Sequence, residues 1–374
     1  MKPFVIIAVI LGPAIFALTA EEAENSESWR KARPGWTYEF PRDEFAHPDF
    51  KTEWWYFTGN LENEAGRRFG YQLTFFRQGI RPPDDRAPTE SQFVTDHIWF
   101  GHFAVSDIDR DEFYFEETFS RGAFEQAGSQ LPDDENRIVW IPGSSLVRTE
   151  SEPGHYRLRA KAKEFEIDFE IHPAKPPIFH GVDGVSPKSN EPDAASHYYS
   201  FTRLKTEGSL MIDGSEFKVS GSSWYDREWS TSALSLDQAG WDWFAIQLED
   251  GSELMLFQLR SPDGSTNFAS GTFVRPDGST EALSSDEIRF KPTEIWTAPN
   301  TKVAYPIEWS LRVPKLEIEL EVVAAQKDQQ LLMAAMIYWE GATRVSGKIR
   351  GKPVRGRGYL ELTGYDGKIS PLSQ

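Results

Sequence analysis

The chain has 374 residues, a formal net charge of -18 and no cysteine. The lack of cysteine excludes disulfides, thiolate nucleophiles and cysteine-ligated metal sites. The acidic balance, with no cluster of Lys and Arg among aromatics, argues against nucleic acid as a partner. Aromatic residues make up 14% of the chain, more than a core requires. Such rings often line the boundary between an apolar cavity and water, so the composition is consistent with ligand binding.

The first 40 residues read as an export signal and a leader. One lysine precedes the apolar run Phe4 to Leu18, and small residues separate this run from the acidic segment Glu21 to Glu27. We therefore expect residues 1–20 to be a signal peptide of an exported protein, periplasmic or secreted, with an uncleaved anchor as the alternative. The acidic segment predicts a disordered leader over residues 21–40.

Beyond residue 40, short apolar runs alternate with turn residues and helical periodicity is nearly absent. The clearest case is Trp241 to Val274, where turns at Asp250–Gly251 and Asp263–Gly264 separate three strands. Strands at this spacing predict an all-β fold of antiparallel sandwiches or barrels. Two long loops, 81–90 and 173–194, either cover a ligand entrance or are surface insertions.

An internal repeat suggests two similar domains. Trp54 to Glu62 aligns with Trp241 to Glu249 without a gap, and four of the nine positions are identical. We therefore predict an internal duplication, with β domains at 41–216 and 217–374. The second run alternates apolar residues on both faces, as in a strand packed between two layers.

The strand VSGSSWYDREWS carries the candidate chemistry. Its alternation places Trp224 and Asp226 on one face. A carboxyl group among aromatic rings is desolvated, which raises its pKa and suits it to act as a general acid. His197 and Tyr199 share a face of the strand HYYSFTRL, and we add them to this candidate site. The alternative is that Asp226 pairs with a cation and Trp224 is ordinary core.

Other familiar sites lack support. The chain contains no Gly-x-Ser-x-Gly, P-loop or His-Glu-x-x-His motif, so hydrolase and nucleotide chemistry are not indicated. Asp107 to Asp111 resembles the start of a calcium loop but lacks the required Gly and Glu, and predicts a hairpin turn instead. His97 and His102 would point to opposite faces of a strand. We predict no metal and no cofactor.

Five segments together resemble the carotenoid 1,2-hydratase and AttH-like family of exported bacterial proteins. They are EWWYFTGNL, HYYSFTRL, SWYDREWS, GWDWFAIQLEDGSELMLFQLR and GRGYLELTGY. The resemblance extends from about Pro41 to Tyr365. It implies two lipocalin-like antiparallel β-barrel or sandwich domains with a ligand site near or between them.

The resemblance also implies roles for individual residues. His197, Tyr199, Trp224 and Asp226 match positions that carotenoid hydratases use to add water to an isoprenoid double bond, with the two aromatic types exchanged. Asp226 would then protonate the alkene and His197 would position water or keep Asp226 protonated, while the ligand would contact Tyr199, Trp224 and two further rings, Trp241 and Trp243.

Two functional hypotheses follow. The first is a hydro-lyase that resembles carotenoid 1,2-hydratase and acts on an isoprenoid- or lipid-like alkene by hydration or isomerisation. The second is a non-catalytic lipocalin-like carrier, or an accessory of an ABC-type exporter, which uses the same cavity without chemistry.

Overall fold

A computed structural model of the protein describes residues 29–86, 94–130, 136–191, 193–231, 234–235, 237–334 and 336–367. The predicted signal peptide, residues 1–20, lies outside these ranges. Within them, no helix is long and apolar enough to cross a membrane. The described chain forms 22 strands and four short 3-10 helices, at Arg42–Glu44, Pro83–Asp85, Ala123–Glu125 and Pro314–Leu316.

The strands belong to two sheets. The first contains β1 (Thr52–Asn63), β2 (Arg68–Gly79), β3 (His97–Asp107), β4 (Glu112–Ser120), β5 (Arg137–Ile141), β6 (Ser144–Arg148), β7 (Tyr156–Lys161), β8 (Phe165–Pro173), β9 (Ile178–Phe179), β10 (Val185–Pro187), β11 (Ala195–Ile212) and β12 (Ser215–Ser230). The second contains β13 (Gly240–Leu248), β14 (Glu253–Arg260), β15 (Thr266–Val274), β16 (Thr280–Ser284), β17 (Arg289–Thr297), β18 (Ala304–Val313), β19 (Ile318–Ala324), β20 (Gln330–Leu332), β21 (Ile337–Ile349) and β22 (Lys352–Leu362).

Both sheets are antiparallel, which confirms the predicted all-β class. The first has the order β4-β3-β2-β1-β12-β11-β8-β7-β6-β5, with β9 and β10 paired to β11. It curls until β5 contacts β2, β3 and β4, so that it nearly closes into a barrel. The second has the order β16-β15-β14-β13-β22-β21-β19-β18-β17, with β20 paired to β21. The predicted meander of three strands from Trp241 to Val274 is β13, β14 and β15.

The two sheets share one plan, which supports the predicted duplication. Each begins with a hairpin at its centre, β1–β2 or β13–β14, and pairs its first strand with its last, β12 or β22. In these pairs Tyr56 lies opposite Asp226, and Trp243 lies opposite Glu361. Because Tyr56 and Trp243 also align in the sequence repeat, Asp226 and Glu361 occupy equivalent positions in the two sheets.

The predicted domain boundary at 216/217 does not coincide with the change of sheet. Strand β12 begins there, but it pairs with β1 and β11 of the first sheet, and the second sheet begins only at Gly240. The reason is local. Asp213 and Gly214 have positive φ angles of 49° and 76°, as in the tight turn of a two-residue hairpin. They join β11 to β12 and are not a linker.

The second half of the predicted disordered leader is folded. Trp29 and Ala32 are 5% and 1% exposed, and the ring of Trp36 lies 4.8 Å from that of His197 and 5.8 Å from that of Trp229. Prediction of disorder over 21–40 was therefore wrong for residues 29–40. The acidic segment before them lacks large apolar side chains, whereas the tryptophans here have enough apolar area to pack on the first sheet.

Apolar side chains form a core inside each sheet and a third cluster between the sheets. Strand β13 shows the arrangement predicted from its alternation. Phe244 and Ile246 face the core of the second sheet, and Trp243 and Ala245 face the first sheet. Central strands of both sheets are thus packed on both faces, and the cluster between them surrounds the candidate site.

The turn between β3 and β4 confirms that the calcium-like run is a hairpin. Asp107 accepts hydrogen bonds from Arg67, and Asp109 accepts them from the backbone and side chain of Arg68. These carboxylates are therefore engaged by arginine.

Candidate functional site

A cavity lies between the outer faces of the two sheets. Its volume is about 100 Å³, which is smaller than a usual small-molecule site. Its wall is mainly aromatic and carries four carboxylic acids, Asp226, Glu228, Glu340 and Glu361. The aromatic rings come from both sheets and include Trp54, Tyr56, Phe76, Tyr198, Trp241 and Trp243.

Asp226 is held in this wall by three hydrogen-bond donors. The Tyr198 hydroxyl donates to Oδ2 at 2.6 Å, the Trp224 indole Nε1 donates to Oδ1 at 2.6 Å, and the Ser200 hydroxyl also donates to Oδ1. The residue is 2% exposed. Burial outweighs these donors and raises the pKa of Asp226 to about 7, so its carboxyl group exchanges a proton near neutrality.

The register of β11 and β12 explains this set of partners. Residues directly opposite each other on paired strands share a face. Asp226 lies opposite Ser200, and the next position on the same face pairs Glu228 with Tyr198. Trp224, two residues before Asp226, points to the same side. It donates a hydrogen bond to the acid but does not line the cavity.

The structure separates His197 and Tyr199 from Asp226. They lie opposite Trp229 and Arg227, on the other face of the sheet. The Tyr199 hydroxyl donates to the carbonyl of Asp43 at 3.3 Å inside the first sheet. Burial lowers the pKa of His197 to about 4. Their assignment to the Asp226 site was wrong because one face was chosen for β11 without the register that selects Tyr198 and Ser200.

A histidine that sequence reasoning missed contacts the site instead. His180 Nε2 is 2.7 Å from the Ser200 hydroxyl, and Nδ1 is 2.8 Å from the Thr272 hydroxyl of β15. Burial lowers the pKa of His180 to about 3, so the ring is neutral. A chain of hydrogen bonds therefore runs from the second sheet through His180 and Ser200 to Asp226. Ser200 is fully buried within this chain, which does not suit it to be a hydrolase nucleophile.

The long loop 173–194 reaches the cavity, which fits the predicted alternative that it covers a ligand entrance. It contributes Lys188 to the cavity wall, and Lys188 Nζ lies 2.9 Å from Glu228 Oε1. The same ammonium lies 4.7 Å from the ring centre of Phe257 and 5.0 Å from that of Tyr198. The prediction that this loop covers a ligand entrance was the signal that could have led to His180.

Two residues cross between the sheets at equivalent positions. The Tyr56 hydroxyl of the first sheet donates to Glu340 of the second at 2.5 Å. Trp243 Nε1 of the second sheet donates to the Tyr198 hydroxyl of the first at 3.2 Å. Trp241 and Trp243, which the sequence predicts to contact the ligand, line the same cavity as Asp226.

One group of side chains in the described ranges has the spacing of a metal site. Glu150, His155 and His172 each offer a ligand atom within 4.8 Å of the others. The two histidine Nδ1 atoms lie 3.2 Å apart. None of the three residues lines the cavity.

His97 and His102 point apart, as predicted. His97 accepts from Arg77, and His102 contacts Tyr338 on the cavity side.

The buried acid has a consequence for stability. Because the pKa of Asp226 rises from 3.8 to about 7 on folding, the folded state binds an extra proton between these values. The proton retained on Asp226 contributes fully to the stability of the folded state below pH about 4. As pH rises from there towards about 7, the free energy of unfolding falls by about 1.4 kcal/mol per pH unit. Asp226→Asn removes this dependence. We expect thermal unfolding to show the variant gaining stability relative to wild type as pH rises from about 4 to about 7, and a constant difference would contradict the assignment.

The chain is similar to known proteins in sequence and in fold. The model of the AttH-like family matches residues 31–365. A crystal structure of a protein described as AttH from Nitrosomonas europaea is 34% identical, with a TM-score of 0.79 over 90% of this chain and 99% of that one. The structure of kievitone hydratase from Nectria haematococca has a TM-score of 0.67 at 16% identity, over 90% of this chain and 98% of that one.

One curated relative also matches by sequence. Kievitone hydratase of Fusarium solani subsp. phaseoli is 22% identical over 175 residues, which are 45% of this chain. The match spans about half the length of that relative, 49%.

Proposed function

The chain belongs to the AttH-like family, and we propose that it binds an apolar, alkene-bearing ligand between its sheets and adds water to the double bond. The likeness to proteins named as hydratases supports the reaction class. The aromatic wall of the cavity supports the ligand class. An isoprenoid- or lipid-like alkene fits both.

The observation that carries this proposal is the Asp226 carboxyl group in the aromatic wall. A general acid works best when its pKa lies near the working pH, and burial raises the pKa of Asp226 to about 7. Once the proton has passed to an alkene carbon, the carboxylate accepts hydrogen bonds from Ser200, Tyr198 and Trp224. These donors favour the charged form, so they stabilise the state that follows proton transfer.

The rings around the acid suit the other product of that step. Protonation of a branched alkene leaves a carbocation, and the faces of indole and phenol rings attract positive charge. Trp54, Trp241 and Trp243 line the cavity with Asp226. The cavity would also keep bulk water from the cation.

A non-catalytic carrier is the second candidate, because the same aromatic wall would hold an apolar ligand without any chemistry. Under either function, export and an association with an ABC-type exporter stay predictions from the sequence.

The experiment uses farnesol, geranylgeraniol and lycopene as probes. Each is incubated with the purified protein in water labelled with heavy oxygen, and products are analysed by mass spectrometry. An enzyme yields a labelled alcohol, and its rate falls as pH rises through about 7 because the acid form of Asp226 is lost. A carrier retains a probe unchanged. The absence of labelled product from every probe would contradict the enzymatic proposal.

A further inference from the structure

The duplication places a second acidic centre in the cavity. Glu361 is the counterpart of Asp226, because Trp243 lies opposite Glu361 as Tyr56 lies opposite Asp226. On the neighbouring strand, Glu340 lies directly opposite Glu361. Side chains at such positions share a face, with Cβ atoms about 5 Å apart. The second sheet therefore presents two adjacent carboxyl groups where the first presents Asp226 beside Ser200.

These two carboxyl groups lack a cation. In the described part of the chain, neither Glu340 nor Glu361 forms an ion pair with lysine or arginine, and Lys188 is engaged by Glu228. Glu340 is 1% exposed. Its Oε1 accepts the Tyr56 hydroxyl, and the Tyr338 hydroxyl lies near enough to the carboxyl group to lower its pKa. Its Oε2 is buried and has no hydrogen bond of ordinary geometry. A buried oxygen of this kind is costly unless a ligand, water or proton satisfies it.

Two adjacent carboxyl groups, one buried and one partly buried, do not both ionise readily. Burial, and then the charge of Glu361, raise the pKa of Glu340 well above its ordinary value. Burial, and then the charges of Asp226 and Glu228, raise the pKa of Glu361 to about 7. Near neutrality the pair therefore retains a proton, and it can take up or release one as a unit.

We propose that Glu340 and Glu361 share one proton and act as the base that accepts a proton from the attacking water. This role rests on the proposed hydration by Asp226. The donor would lie on the first sheet and the acceptor on the second, so the substrate would be held between a proton source and a proton sink. Oε2 of Glu340, which has no hydrogen bond of ordinary geometry, is the atom that would bind the water.

The Asp226 proton and the π electrons of the alkene form a new C–H bond, which leaves a cation at the other carbon and a carboxylate at Asp226. The oxygen of water forms a C–O bond to that cation, and one O–H bond of the water breaks. Its proton passes to the ionised member of the pair, and later transfer of one proton from the pair to Asp226 restores the enzyme. The sum is alkene plus water giving alcohol.

The test separates the two proton transfers with Glu340→Gln and farnesol. In heavy-oxygen water, we expect this variant to form labelled alcohol at least about 10²-fold more slowly than wild type. In deuterium oxide it should still exchange hydrogen at the alkene, since Asp226 can protonate the carbon and take a proton back. Asp226→Asn should lose both signals. Glu319→Gln, an exposed acid on β19, should keep both.

The outcomes are distinct. Wild-type protein with neither signal would overturn the proposed function and this role with it. Wild-type rates of labelled alcohol in Glu340→Gln would overturn this role alone. Infrared spectra provide a readout without turnover: at neutral pH, wild type should show a protonated carboxyl band that both Glu340→Gln and Glu361→Gln reduce. A spectrum unchanged in both variants would also overturn the shared proton.

Discussion

Asp226→Asn is expected to lower the rate of hydration by about 10²- to 10⁴-fold, the usual contribution of a positioned general acid. The amide has nearly the same shape as the carboxyl group. Its single oxygen can still accept from Trp224 and Ser200, and its NH2 group can donate to the hydroxyl oxygen of Tyr198. It has no acidic proton to transfer to carbon. Affinity for farnesol, measured by fluorescence quenching of the cavity tryptophans, should therefore change only slightly.

Asp242→Asn is the matched control. Asp242 is also fully buried, but it lies outside the cavity wall and accepts from Arg260, Gln258 and Tyr365. The control should lower the unfolding temperature because it weakens a buried ion pair, while each folded molecule keeps its turnover. If Asp226→Asn hydrates farnesol at the wild-type rate, Asp226 is not the proton donor.

Glu53→Gln is expected to have the largest effect on stability, with a loss of about 3–5 kcal/mol. Glu53 is fully buried between the guanidinium groups of Arg77 and Arg227, which are 1% and 0% exposed. Burial alone would raise the pKa of Glu53, but the two arginines hold it well below its ordinary value. The substitution leaves two buried cations without a carboxylate, so their desolvation is no longer offset.

Glu62→Gln provides the comparison on the same strand. Glu62 pairs with Arg357 across the two sheets, but both side chains are nearly half exposed. Exposed pairs contribute about 0–1 kcal/mol, so this variant should unfold close to the wild-type temperature in calorimetry. Similar unfolding temperatures for the two variants would mean that the buried cluster is not what stabilises the first sheet. Loss of this cluster would also affect the site, since Arg227 follows Asp226 on β12.

The class of the fold could be predicted from the sequence because its signals are local. Asp-Gly turns such as Asp250–Gly251 and Asp263–Gly264 determine where strands end, and alternation determines which residues share a face. The repeat of Trp54 to Glu62 predicted the duplication that the common strand order supports. The change of sheet had no local signal, because Asp213–Gly214, next to the predicted boundary, is a hairpin turn within the first sheet and the second sheet begins only at Gly240.

The site was predicted only in part. Trp224 and Asp226 could be placed on one face, since they lie two residues apart on one strand. The partners of Asp226 depend on how β11 pairs with β12, and a shift of one residue exchanges the two faces of a strand. That register assigns Tyr198 and Ser200 to the acid and leaves His197 and Tyr199 inside the first sheet.

The sequence alone determined that this is an all-β chain with repeated halves, an aromatic-rich composition and an acid flanked by aromatic residues. Tertiary structure decided what surrounds that acid. His180, from a loop, contacts Ser200 beside the acid and Thr272 of the second sheet. Glu340 and Glu361 share the cavity of the acid although more than 100 residues separate them from it. Contacts at such separations depend on strand register and on the packing of one sheet against the other, which local patterns do not specify.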